Sequence, residues 1–99
     1  MIQIYICEDE KIQLEFWKRI IEDYIKSAKI MEEIVSARQN PQDILNDIEQ
    51  CDNSQRLFFI DIQMPEYDMN GLELARKLRE KNSDDYLVFI TSKDDLAYK

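Results

Sequence analysis

The 99-residue chain carries 13 basic against 21 acidic residues, a formal charge of −8, with 44% hydrophobic and 34% charged residues and no histidine. That length suits one small domain with its own core, the acidity excludes a grip on a phosphate backbone by this segment, and the lack of histidine excludes Ser/His/Asp and Cys/His triads and most zinc enzymes. No apolar run approaches the roughly 20 residues of a bilayer span and no signal-peptide pattern opens the chain, so the expected compartment is the cytoplasm.

Ile2 to Cys7 is short, rich in β-branched and aromatic residues, and ends abruptly in Glu8, Asp9 and Glu10, which reads as a buried first strand meeting an acidic loop. From Lys11 to about Lys29, Leu14, Trp17, Ile20, Ile21, Tyr24 and Ile25 recur at helical spacing, and Phe16, Trp17 and Tyr24 are expected in the core. Glu33 to Ala37 predicts a short second strand. Asn40, Pro41 and Asp43 suit the start of a helix, since Asn caps free amides, Pro fits the first helical position and Asp complements the dipole.

Arg56 to Asp61 is an apolar run too short for a helix that also ends in a carboxylate, and reads as a third strand. After a loop holding Pro65 and Gly71, Leu72, Leu74, Ala75 and Leu78 predict a helix to about Lys81. The Asp84–Asp85 and Asp94–Asp95 pairs are expected to be solvated. Tyr86 to Ile90 is a fourth strand ending in Thr91 and Ser92, and the chain then stops within the start of another helix, as if truncated after the fourth strand. Cys7 and Cys51 fit no metal-binding spacing and are expected to be free thiols.

The alternation implies an α/β fold, a doubly wound parallel sheet with helices on both faces. In such sheets ligands collect at the carboxyl ends of the strands, where Glu8, Asp9, Asp61, Thr91 and Ser92 fall. Read singly, Glu8 to Glu10 suit an acidic helix start, Asp61 a loop-capping carboxylate, and Thr91–Ser92 a helix cap. Read together they suit a site in which a hard cation offsets the carboxylates, with Mg²⁺ the expected ion. Asp61, at the end of an apolar strand, is the candidate nucleophile toward phosphorus, and the Thr91 hydroxyl could bond a phosphoryl oxygen.

These segments closely resemble the receiver domain of bacterial response regulators along essentially the whole chain. Ile6 to Glu10 resembles the family's acidic pair after the first strand, Phe58 to Pro65 its phosphorylation segment, Asn70–Gly71 the loop glycine that follows, and Phe89 to Ser92 its Thr/Ser segment. The resemblance implies a flavodoxin-like receiver fold with Asp61 as phosphoacceptor. It implies Mg²⁺ held by Glu8, Asp9, Asp61 and the backbone carbonyl of Gln63, with Thr91 as the switch hydroxyl. It further implies a sensor histidine kinase as phosphodonor, a homodimer, and no enzymatic turnover beyond the domain's own phosphorylation and dephosphorylation. Glu8 stands where the family often has aspartate, and the family's lysine after the fifth strand has no matching position, Lys93 lying in the wrong element.

The wording of the strands is also similar to regulators with a LytTR-type DNA-binding domain, such as the accessory gene regulator group, implying transcriptional output through a C-terminal domain outside this segment. Two rivals stay open. A receiver-like interaction module would act without phosphate. A phosphohydrolase with an aspartyl nucleophile would need a second acid two residues on, where Gln63 stands.

Overall fold

The computed structural model describes residues 2–50, 55–82 and 84–90. Among the described residues seven elements alternate: β1 (Gln3–Cys7), α1 (Lys11–Ala28), β2 (Glu33–Arg38), α2 (Pro41–Glu49), β3 (Arg56–Asp61), α3 (Gly71–Lys81) and β4 (Tyr86–Ile90). The strands pair in parallel in the order β2-β1-β3-β4. Thr91, Ser92, Lys93, Asp94, Asp95 and Cys51, with the expected helix after Ser92, lie outside the described residues.

Strand alternation sends side chains to two cores. Tyr5, Cys7, Phe58 and Ile60 pack on one face against Ile44, Leu45 and Ile48 of α2 and Leu74, Ala75 and Leu78 of α3, with Tyr5 and Phe58 stacked at 4.8 Å between ring centroids. Ile4 and Ile6 face the other way and meet Leu14 of α1, with Trp17, Ile21, Ile25, Leu57 and Phe59 around them. Helices therefore cover both faces of the sheet. No helix among the described residues is long and apolar enough to cross a membrane.

The cap of α2 forms as its sequence predicts, and α3 has one that the sequence reading did not place. Asn40 accepts from the Gln42 N–H with Pro41 opening α2, and Asn70 forms a reciprocal capping box with Glu73 at the head of α3. Gly71 is thus the first residue of α3 and not part of the preceding loop, because Asn70 takes the capping position.

Two expectations about burial fail. Phe16 and Tyr24 are not core residues: they stand 53% and 67% exposed, and Trp17 alone of the three aromatics packs inward. Asp85 is not solvated, being buried beside the equally buried Arg56 with 3.6 Å between Nε and Oδ1.

Candidate functional site at the strand ends

β1 and β3 run in register from Gln3 opposite Arg56 to Cys7 opposite Ile60. Each chain then adds a carboxylate, Glu8 after Cys7 and Asp61 after Ile60, so both emerge side by side at the carboxyl edge of the sheet. Asp61 also pairs with Ile90 of β4, and the Ile62 N–H reaches the Ile90 carbonyl at 3.3 Å. The central position of β3 therefore holds the Asp61 main chain between two partner strands. Glu8, Asp9 and Asp61 are buried, at 0%, 3% and 0% exposure, although isolated carboxylates rarely leave water.

Ligand oxygens of Glu8, Asp9 and Glu10 all lie within 4.8 Å of one another. The turn is shaped by its own main chain, the Glu10 N–H donating to Glu8 Oε2 at 3.0 Å. Glu10 stands at the N-cap of α1 and makes no side-chain cap bond there, so the run lies at the helix start, where its charge complements the dipole. Beneath the cluster, Cys7 Sγ donates to Met64 Sδ at 3.6 Å, pinning the loop after Asp61 to the end of β1. Burial pushes the Cys7 thiol far above its usual range, and the charges of Glu8, Asp61 and Asp9 push the same way, so this free cysteine stays protonated and unreactive.

The sequence-predicted residues thus fall into three groups. Glu8 and Asp9 group within ligand distance of Glu10, while Asp61 is not one of that group and lies at the same carboxyl edge by the β1–β3 register. Gly71 lies beside them from α3, its N–H donating to the Ile62 carbonyl at 3.0 Å, and Gln63 follows two residues after β3 with an exposed side chain. Thr91 lies outside the described residues. Sequence reasoning missed the Met64 contact and a bond from the Gln39 side chain to the Asp9 carbonyl, both of which join segments far apart in the chain. A donor set of carboxylate oxygens, with no histidine and a protonated thiol, suits a hard divalent cation and not a soft one. Asp61 is buried, and its main chain is fixed at the end of a central strand.

Residues 4–99 match the family model of the response regulator receiver domain. Over 97 residues the chain is 33% identical to accessory gene regulator protein A of Staphylococcus epidermidis, which covers 98% of this chain and 40% of that protein. The protein of the same name from Staphylococcus aureus is 34% identical over 99 residues, with 98% and 40% coverage. The chain therefore spans about two fifths of the length of these curated relatives. Among solved structures, RcsB from Salmonella enterica serovar Typhimurium, bound to a promoter in the presence of the phosphomimetic BeF₃⁻, aligns with a TM-score of 0.69 over 93% of this chain and 43% of that one, at 17% identity.

Proposed function

The chain belongs to the response regulator receiver domain family, and from that premise we propose that Asp61 accepts a phosphoryl group from a sensor histidine kinase in a Mg²⁺-dependent step. The observation that carries this reading is the burial of Asp61 at the end of a central strand, at the same sheet edge as the grouped carboxylates of Glu8, Asp9 and Glu10, whose mutual repulsion a bound cation would offset. A carboxylate oxygen of Asp61 forms the new P–O bond as the P–N bond to the donor breaks, and the departing nitrogen leaves with a proton. Glu8, Asp9, Asp61 and the Gln63 main-chain carbonyl would hold Mg²⁺, which when bound neutralises the phosphoryl oxygens. β3 and its two neighbours orient Asp61, and the Thr91 hydroxyl would donate to a phosphoryl oxygen. The protein turns over no external substrate.

Resemblance to accessory gene regulator protein A supports a cytoplasmic transcription regulator in which this segment switches a LytTR-type DNA-binding output, with phosphorylation favouring a homodimer. A charge of −8 leaves contact with DNA to that other part. The test is the intact mass of the protein after incubation with phosphoramidate. A gain of one phosphoryl group that needs Mg²⁺ and disappears in Asp61→Asn is expected. No gain in the protein extended through the next strand and helix would overturn the phosphoacceptor reading and leave an interaction module.

A further inference from the structure

The ladder between β1 and β2 ends where the Glu8 N–H donates to the Arg38 carbonyl at 3.1 Å. One residue further along β2 has finished, and a side chain continues the pairing: Gln39 Nε2 donates to the main-chain carbonyl of Asp9 at 2.9 Å, across 30 residues of sequence. Gln39 is itself fixed on both sides. Arg38 before it is held by Asp47 through Nε and a second guanidinium nitrogen at 2.9 and 3.1 Å, and Asn40 after it caps α2. The Glu8 carboxylate is held from within the turn by the Glu10 N–H. The Asp9 main chain is held from outside it, by Gln39.

We propose that Gln39 is a positioning residue that sets the spacing of the Glu8 and Asp9 carboxylates, and with it the preference of this site for Mg²⁺ over Ca²⁺. The proposal rests on the Mg²⁺ reading above. Adjacent carboxylates repel, so the turn that carries them opens unless its backbone is anchored. Mg²⁺ demands short, near-octahedral coordination and is sensitive to such opening, whereas Ca²⁺ accepts longer and more variable geometry. Glutamine is suited to the task because its amide supplies a neutral donor on an arm long enough to cross from β2, which a glutamate carboxylate cannot do.

The test is calorimetric titration of Mg²⁺ and Ca²⁺ into the parent protein, Gln39→Met and Gln39→Ala, with a urea midpoint for each. Gln39→Met keeps the length of the side chain and removes only the donor. Mg²⁺ affinity is expected to fall about tenfold in both variants and Ca²⁺ affinity by no more than roughly threefold, in the range of lost outer-shell partners. A structural role alone would lower the urea midpoint without moving the ratio of the two affinities, so an unchanged ratio overturns the proposal whatever happens to stability. Failure of the parent protein to bind Mg²⁺ would instead overturn the reading of the site on which this inference stands.

Discussion

Gly71, the only glycine of the chain, illustrates how tightly single residues are constrained near Asp61. A Cβ at this position would lie 2.0 Å from the Asp61 carbonyl oxygen and 2.9 Å from Ile62 Cα, both main-chain atoms with no freedom to rotate away. At an open helical position alanine is favoured over glycine by about 1 kcal/mol. Here Gly71→Ala is expected to destabilise the protein by about 2 kcal/mol, because β3 or α3 must shift to relieve the overlap. Urea denaturation decides the sign, and a gain in stability would show that α3 moves away freely. Glu8 and Asp61 were legible in the sequence because each follows directly on an apolar run, and Asp9 because it stands next to Glu8. Gln39 and Met64 were not, since their contacts reach across 30 and 57 residues and depend on a register that no local pattern encodes.

At the scale of elements, β3 and β4 emerge with the bounds their apolar runs predict, and the caps of α2 and α3 fall where Asn40 and Asn70 stand. α1 was readable as a helix but not in its orientation. Leu14, Trp17, Ile21 and Ile25 make one apolar stripe and Ile12, Phe16, Ile20 and Tyr24 a second beside it, and only contact with Ile4 and Ile6 selects the first for burial. α2 is clamped to the edge strand β2 by Asp47, which accepts from both Ser36 Oγ and Arg38. The Arg38 hydrogen bond, helped by Ser36, holds the Asp47 carboxyl below its ordinary range against the opposing effect of burial. A carboxylate with a depressed folded pKa adds stability above its unfolded value of about 3.9, and that contribution fades as pH falls through the lower folded value. Asp47→Asn is therefore expected to cost about 1 kcal/mol or less at neutral pH, as half-exposed pairs do, and progressively less under acid. Urea midpoints measured from pH 7 downward for both proteins check this; a gap that stays constant with pH would assign the effect to packing.

Across the whole molecule, the sheet separates the candidate site from a buried ion pair. Asp61 and the acidic turn occupy its carboxyl edge, while Arg56 and Asp85, one residue before the Leu57–Tyr86 pair, are buried together at the opposite edge. Arg79 of α3 donates to the Asp85 carbonyl, so this corner joins β3, α3 and the entry to β4. Burial raises the Asp85 carboxyl above its ordinary range, with Arg56 and then Arg79 pulling it down. Arg56→Met removes the largest opposing charge and leaves a buried carboxylate without its nearest cation, which is expected to cost about 3–5 kcal/mol at neutral pH. The folded pKa of Asp85 then rises further above the unfolded one. The penalty for an ionised Asp85 applies above that folded value and lifts as pH falls toward the unfolded value, so mild acid should restore part of the variant's stability relative to the parent. A second change, Asp85→Leu, removes the buried charge itself and should bring most of the loss back at neutral pH, since a well-packed apolar pair often replaces a buried ion pair at little cost. Urea midpoints of the parent, single and double variants at neutral and mildly acidic pH provide the comparison. If acid deepens the defect of Arg56→Met, the loss comes from the packing of the arginine stem and not from the stranded carboxylate.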